Sequence, residues 1–202
     1  VARALGELLD ARDIAVLLQM DGLVRRVVAT VDNLGREHTP ARLWPVNPTP
    51  ERFAVVGSGP VQTIGLDNAA RYGALVRWIE SVDMERAVAL YARLYPLFQQ
   101  AYEELGYPGR YFNDRLVAVI DHLLQAPEPA SPVAVKLTEV KGDVPSTRPW
   151  VRYEFADPQL QSLSSGQKIM VRVGLENERR LKVRLKALRA LVATGAAAKA
   201  KP

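Results

Sequence analysis

Apolar residues recur at the spacing of an α-helix over most of this chain, and that periodicity constrains the fold more than any other feature. The clearest example is LENERRLKVRLKALRALV, whose apolar stripe consists of Leu181, Leu185, Leu188 and Val192. Residues three and four apart share one face of a helix, so we expect this stripe to pack on a core. The same periodicity predicts two or three short helices before residue 35, one helix over DNAARYGALVRWIESV from Asp67, a long helical stretch from Asp83 to about residue 106, and a helix from about Tyr111 to Leu124.

Local signals place the starts of several helices. Asp83 and Asp157 precede helical stretches, and proline follows Asp157 at the position that favours a helix start. Ser164 and Gln167 have the spacing of a capping box for the helix that follows. Pro96 lies inside a long helical stretch, and it predicts a kink or a division into two helices.

Segments rich in proline and β-branched residues interrupt the helices. The stretch 36–66 carries four prolines in HTPARLWPVNPTPE and is predicted to be a loop, in which FAVVGSG and PVQTIG form a short strand pair or an extended arm. VAVKLTEV and WVRYEF alternate, which predicts a two-stranded β hairpin at about 133–155. We therefore predict a mainly α fold: a single compact helical domain over 1–194 with this small hairpin, then a disordered tail over 195–202.

Composition excludes several classes of function. The chain has no cysteine, which removes disulfides, thiol catalysis and cysteine zinc sites. The 27 lysines and arginines exceed the 22 acidic residues by only five, and much of the excess lies after Arg172. This basic end is interpreted as a solvated helix face, with phosphate or acidic lipid as the alternative. No nucleic-acid motif and no cofactor motif is visible, and we expect no membrane contact except through an anchor before Val1.

The stretch YPGRYFNDRLVAVIDHLLQ holds Asp114 and Asp121 seven residues apart, with His122 beside the second. Two turns of helix place both carboxylates on one face, about 10 Å apart along the axis. Paired carboxylates serve glycoside hydrolysis at separations of roughly 5 to 9.5 Å, and a metal site needs three or four converging ligands. The interpretation favoured here is structural: Asp121 is partly buried and paired with an arginine. We expect no metal.

A larger polar set surrounds this stretch. Arg71 in DNAARY is a candidate partner for Asp121 or Asp32, since a guanidinium that pairs carboxylates from different helices fixes their register. We predict one polar cluster that orders the helices and frames a groove, made of Asp32, Asn33, Asn68, Arg71, Tyr72, Tyr111, Asn113, Asp114, Arg115, Asp121 and His122.

The chain also contains the phrases VATVDNL, NAARY, LYPLFQQAYEELGYPGRYFNDRLVAVIDHLL, FADPQL and SGQKIMVRVG. Together they resemble an uncharacterised proteobacterial family, domain of unknown function three thousand and fourteen, from about Ala4 to Val192. Gln161 and Val173 depart from the family's pattern. The resemblance implies an inner-membrane anchor and a proline-rich linker before a domain outside the cytoplasm, and it brings no activity, cofactor or catalytic residue.

Two function classes remain open. The first is a non-enzymatic binding or scaffolding module on the periplasmic side of the inner membrane, with a protein or cell-wall partner. The alternative is a hydrolase of cell-wall glycan or peptide, with Asp121 or Glu104 as acid or base and Tyr111 in the site. A deep cleft that holds these side chains, or a carboxyl of raised pKa inside it, favours the enzyme, and a flat surface with an exposed apolar patch favours a partner site.

Overall fold

The structure, a computed structural model, describes residues 1–130, 132–138 and 149–193. Helices dominate this part of the chain, as the periodicity predicts. Their bounds are α1 Ala2–Gly6, α2 Ala11–Leu17, α3 Leu23–Leu34, α4 Asn68–Arg71, α5 Gly73–Ser81, α6 Met84–Glu104, α7 Phe112–Leu124, α8 Pro158–Gln161, α9 Ser165–Arg172 and α10 Leu175–Ala193. Short 3-10 turns lie at Ala41–Leu43 and Pro149–Val151.

The predicted helix starts are confirmed where a side chain caps the helix. Asp83 accepts a hydrogen bond from the Arg86 backbone N–H over 2.9 Å, and Asp157 accepts one from Gln159 over 2.7 Å. Ser164 accepts one from the Gln167 backbone N–H at the start of α9 over 3.2 Å. These side chains satisfy donors that a helix leaves unpaired at its first turn.

One helical prediction needs correction: the sequence predicts one helix from Asp67, but the stretch divides at Tyr72 into α4 and α5. Of the two outcomes predicted at Pro96, a kink or a division, the division does not occur, because α6 runs unbroken from Met84 to Glu104. Buried Val88 lies before the proline and buried Tyr102 after it, so packing on both sides offsets the lost backbone hydrogen bond.

The β element is a four-stranded antiparallel sheet in the order β1–β2–β3–β4 rather than a two-stranded hairpin. Its strands are β1 Val55–Val56, β2 Val61–Ile64, β3 Ala134–Leu137 and β4 Tyr153–Phe155. Half of it comes from the stretch 36–66, where the strand pair predicted in FAVVGSG and PVQTIG forms as β1 and β2. Gln62 pairs with Val135, and Val135 pairs with Phe155. The sequence shows only the local hairpin signals, whereas β2 and β3 meet across more than 60 residues.

Parts of two predictions lie outside the described residues. These are the predicted disordered tail over 195–202 and the stretch 139–148 inside the predicted hairpin.

The helical core forms where α3, α6, α7, α9 and α10 meet. Val88 of α6, Ile120 of α7 and Val192 of α10 make one buried cluster, with Leu185 and Leu188 packed against it. The stripe on α10 is therefore packed, as predicted. The sheet contributes a separate cluster in which Val135 and Phe155 contact Val171 of α9.

The basic residues of α10 mostly contact other elements of the fold. The Arg180 Nε donates to Glu80 of α5 over 2.8 Å, and the Arg184 guanidinium donates to the Val82 carbonyl. Lys182 lies 3.0 Å from Glu128 in the segment after α7. Because these cations hold neighbouring elements, the basic residues of α10 are largely structural.

Candidate functional site

A buried carboxylate organises the packing of α3 against α7. Asp32 is 3% exposed, and its Oδ1 accepts a hydrogen bond from the Arg115 Nε over 3.1 Å. Its Oδ2 accepts from Arg36, which follows the end of α3, over 2.7 Å and from the Tyr107 hydroxyl over 3.2 Å. Arg36 also donates to the Tyr107 hydroxyl, and the negative charge of Asp32 raises the pKa of Arg36. The buried charge is thus paired and hydrogen-bonded, as burial requires.

An open groove of about 530 Å3 lies beside this network, and we call it the α3–α9 groove. Its wall is made of Gly35, Arg36, Glu37, His122, Ser162, Leu163, Ser164 and Gln167. These residues come from the end of α3, the end of α7 and the start of α9, so three elements meet in it. The volume lies in the range of about 300–1,000 Å3 that ligand sites occupy.

Hydrogen bonds fix the polar side chains of the groove. The His122 Nε2 and the Ser164 Oγ are 2.8 Å apart. The Gln167 side chain donates to the His122 carbonyl over 3.1 Å instead of closing the capping box back onto Ser164. Behind them, the Ser165 hydroxyl donates to the Asn33 carbonyl over 3.1 Å, so α9 is tied to the end of α3.

Gly166 allows this close approach of α9. A Cβ atom there would lie 2.5 Å from the Leu123 Cδ2 and 2.8 Å from the Leu34 carbonyl oxygen. Only glycine fits without movement of α7 or of the α3 backbone. The geometry of the groove therefore depends on a residue that lies behind it.

A guanidinium lies where the groove meets the Asp32 network. Two guanidinium groups, from Arg36 and Arg115, surround the single carboxylate of Asp32. The side chain of Arg36 is 51% exposed, so its charge reaches the groove. Glu37 on the rim lies 3.5 Å from His38, and both side chains are largely exposed. Carboxylate or carbonyl oxygens of a ligand are the groups that this arrangement favours.

Arg71 contacts neither of its predicted partners. Its guanidinium donates to Thr49 and to the carbonyls of Pro50 and Glu51, and it lies 5.7 Å from the Tyr72 ring. Asn68 is 1% exposed and bonds to the backbone of Ala54 and Gly65, with Arg71 Nη1 donating to its Oδ1 over 3.3 Å. These residues hold the segment before β1 against α4.

The remaining predicted residues lie along α7. Asp121 forms a two-pronged ion pair with Arg189 of α10, at 2.8 and 3.1 Å, and its side chain is 41% exposed. The hydrogen bond from Arg189 lowers the pKa of the Asp121 carboxyl. Asn113 joins the Tyr91 hydroxyl to the Val192 carbonyl, and both contacts are 3.3 Å. Asp114 and Tyr111 are exposed at the start of α7.

The predicted residues therefore occupy several places. Asp32 and Arg115 come together with Asn33 nearby, His122 lies in the groove, and Asn68 and Arg71 hold a different part of the fold. Sequence reasoning missed Arg36, Tyr107 and the contact of His122 with Ser164. Arg36 stands four residues after Asp32, the spacing of a helical ion pair, and this signal was available. Ser164 was assigned only as a cap.

In the ranges 1–130, 132–138 and 149–193, no group of three or more histidine, aspartate or glutamate side chains is placed to hold a metal ion. Within the same ranges, no helix combines the length and the apolar character that a membrane span needs.

No curated protein and no solved structure matches the chain. One family model does match, over residues 23–189, which is most of the chain and includes the α3–α9 groove and the Asp32 network. The chain belongs to the family described as Protein of unknown function (DUF3014).

Proposed function

We propose that this domain is a non-enzymatic binding module whose α3–α9 groove holds a peptide segment through its carboxylate or carbonyl groups. The observation that carries the proposal is the guanidinium of Arg36, which is half exposed in the groove wall and is held in place there by buried Asp32. His122 and Ser164 add polar groups that can hydrogen-bond to a peptide backbone.

The residues named for a hydrolase do not support that alternative. Asp121 forms an ion pair at the surface with Arg189, and its pKa is lowered, whereas a general acid needs a raised one. Glu104 forms an exposed ion pair with Arg25 at 3.1 Å. Neither carboxylate lines the α3–α9 groove.

One contact is of the kind found in serine hydrolases. The 2.8 Å distance between the His122 Nε2 and the Ser164 Oγ is that of a base and its nucleophile. Such a pair is normally oriented by a third group, and among the described residues no carboxylate bonds to the His122 ring. Ser164 already serves as the cap of α9. A fluorophosphonate probe, which labels activated serines, tests this alternative. If the probe labels the wild-type domain but not Ser164→Ala, the domain is a serine hydrolase.

The proposal includes a position on the periplasmic side of the inner membrane and a partner in the envelope. The family resemblance supports this position. Fractionation of cells that express the full-length gene product tests it, together with protease added to spheroplasts. If the domain resists the protease in intact spheroplasts, it lies on the cytoplasmic side of the membrane and the proposed position is wrong.

A photo-crosslinking amino acid at Glu37 tests the groove. Glu37 lies on the rim and its side chain is 76% exposed. The control carries the same crosslinker at Val183, which is 65% exposed on α10. We expect adducts in envelope extracts from position 37 only, and we expect an acidic peptide in excess to suppress them.

Charge variants make the test specific. Arg36→Gln and His122→Gln should each reduce the adduct, while Arg93→Gln, which removes one charge from an exposed pair with Glu7, should not. Purified cell-wall sacculi serve as a second bait, and retention there identifies stem peptides as the source of the carboxylates. Equal adducts in all folded variants would end the proposal.

A further inference from the structure

A second cavity, apart from the α3–α9 groove, lies between the sheet and the junction of α9 and α10. It has a volume of about 160 Å3. One side is formed by Ile64 at the end of β2 and by Val133 before β3, and the other by Val171, Arg172 and the first turn of α10 with Glu178. Most of its wall is aliphatic, so the two ionisable side chains in it require an explanation.

Glu178 is the most deeply buried carboxyl of the described chain, with 1% of its side chain exposed. The Lys182 ammonium lies 2.9 Å from its Oε1, but this oxygen has no well-directed hydrogen bond. Burial raises the pKa of the Glu178 carboxyl, and the contact with Lys182 opposes the rise only in part. Lys182 also binds Glu128 and the Ala126 carbonyl, so it is shared among three oxygens. Lys182 thus neutralises the charge of Glu178 only in part.

Arg172 is the second charged residue of the wall. One end of its guanidinium donates to the Tyr153 carbonyl over 2.7 Å, and its centre lies 5.0 Å above the ring of Phe155. Its buried Nε has no acceptor among the residues that the structure describes. Buried donors without partners are rare in native proteins, and each one suggests a missing water, ion or ligand. The described chain shows no ion pair between Arg172 and Glu178, although they line one cavity.

The wall between them is fixed in place. Asn68 lines the cavity, and its amide bonds to the backbone of Ala54 and Gly65 on the segments flanking β1 and β2. Gly174 has φ +90, and a Cβ there would lie 3.0 Å from the Ala69 Cβ. The α9–α10 turn therefore lies so close to α4 that a side chain at position 174 would crowd Ala69. A site held in this way binds without a large ordering cost.

We propose that this cavity binds a free aliphatic α-amino acid: its ammonium group lies against Glu178, its carboxylate against Arg172, and its side chain against Ile64, Val133 and Val171. The size agrees, because a cavity of about 150 Å3 with apolar walls holds one benzene molecule. Opposite charges on two walls with aliphatic surface between them match a zwitterion with a short branched side chain. This cavity shares no residue with the α3–α9 groove. A result against one of the two proposals therefore does not count against the other.

Valine and two of its analogues test the proposal on the wild-type domain. Isobutylamine is valine without the carboxylate, and isovalerate is valine without the ammonium group. With methyl-labelled protein, we expect valine to shift the resonances of Ile64, Val133 and Val171 and to leave that of exposed Leu97 unchanged. Valine should bind about tenfold more tightly than either analogue, since each lacks one charge-assisted hydrogen bond.

Two variants complete the test. Glu178→Gln keeps the shape of the side chain and should weaken valine binding about tenfold. Glu128→Gln alters the other carboxylate that binds Lys182 but lies outside the cavity, so it should leave the affinity unchanged. The wild-type titration decides the question even if Glu178→Gln fails to fold. Absence of shifts at millimolar valine, or equal binding of valine and both analogues, would overturn the proposal.

Discussion

Arg115 of α7 binds Asp32 of α3 twice: its Nε donates to the carboxylate over 3.1 Å, and its Nη2 donates to the Asp32 backbone carbonyl over 2.5 Å. A single side chain therefore fixes both the buried charge and the backbone of the neighbouring helix. Arg36 and Tyr107 complete the ring of donors around the carboxylate.

Asp32→Asn should destabilise the domain by about 2–3 kcal/mol, because two arginines lose their counter-charge in a mostly buried site. The figure lies below that for a fully enclosed ion pair because Arg36 is half exposed. Urea unfolding followed by circular dichroism measures it. Asp121→Asn is the matched control: its ion pair with Arg189 is at the surface, and we expect a clearly smaller change. Equal losses would contradict the assignment of Asp32 as the organising charge.

Leu185→Ala should cost about 2–5 kcal/mol, as truncations in a packed core do. Leu185 packs against two buried clusters, one with Val119 and one with Val88. Val183→Ala on the same helix removes a side chain that is 65% exposed and should change stability little. Thermal and urea unfolding of both variants check the prediction, and a stable Leu185→Ala variant would mean that α10 is not packed as described.

Gly166→Ala should destabilise the domain by about 1–3 kcal/mol, because the added methyl group overlaps Leu123 and the Leu34 carbonyl. Gly6→Ala is the control, since a Cβ there has no neighbour within 4 Å and alanine favours a helix over glycine. We expect that variant to be slightly more stable than the wild type. Melting temperatures that fall equally in both would show that α9 does not approach α3 and α7 this closely.

The two carboxylates around Lys182 should respond to pH with opposite signs. The folded pKa of Glu178 is raised by burial, so its contribution to stability falls as pH rises from about 4.3, the usual value of a free glutamate, through the folded pKa. Glu178→Gln should therefore gain stability relative to the wild type on going from pH 4 to pH 7.

The folded pKa of Glu128 is lowered by hydrogen bonds from Arg179 and Lys182. Its contribution is present above about 4.3 and is lost as pH falls through the folded pKa. Glu128→Gln should therefore lose stability at pH 7 and approach the wild type near pH 3. Melting temperatures measured across this range in both variants decide the matter, and parallel curves would refute the opposite signs.

The features that could be predicted from the sequence are those that depend on residues close together in the chain. The caps Asp83, Asp157 and Ser164, the extent of α7 and the apolar stripe along α10 all depend on residues within a few turns, although the surface on which the stripe packs does not. The pair Asp32–Arg115 spans 83 residues, and β2 pairs with β3 across a comparable distance. Such contacts follow from how helices pack, which spacing does not reveal. Arg71 illustrates this: its type suits a carboxylate, but the nearest acceptors are Thr49 and two carbonyls of the adjacent segment.

The place of Val192 in the core has a consequence for synthesis on the ribosome. Val192 is 1% exposed and completes the cluster with Val88 and Ile120 near the end of α10. While the ribosome is still adding α10, the apolar faces of α6 and α7 lack their last partner. This cluster therefore cannot be completed before α10 has been synthesised, and until then the apolar faces of α6 and α7 lie exposed on the nascent chain.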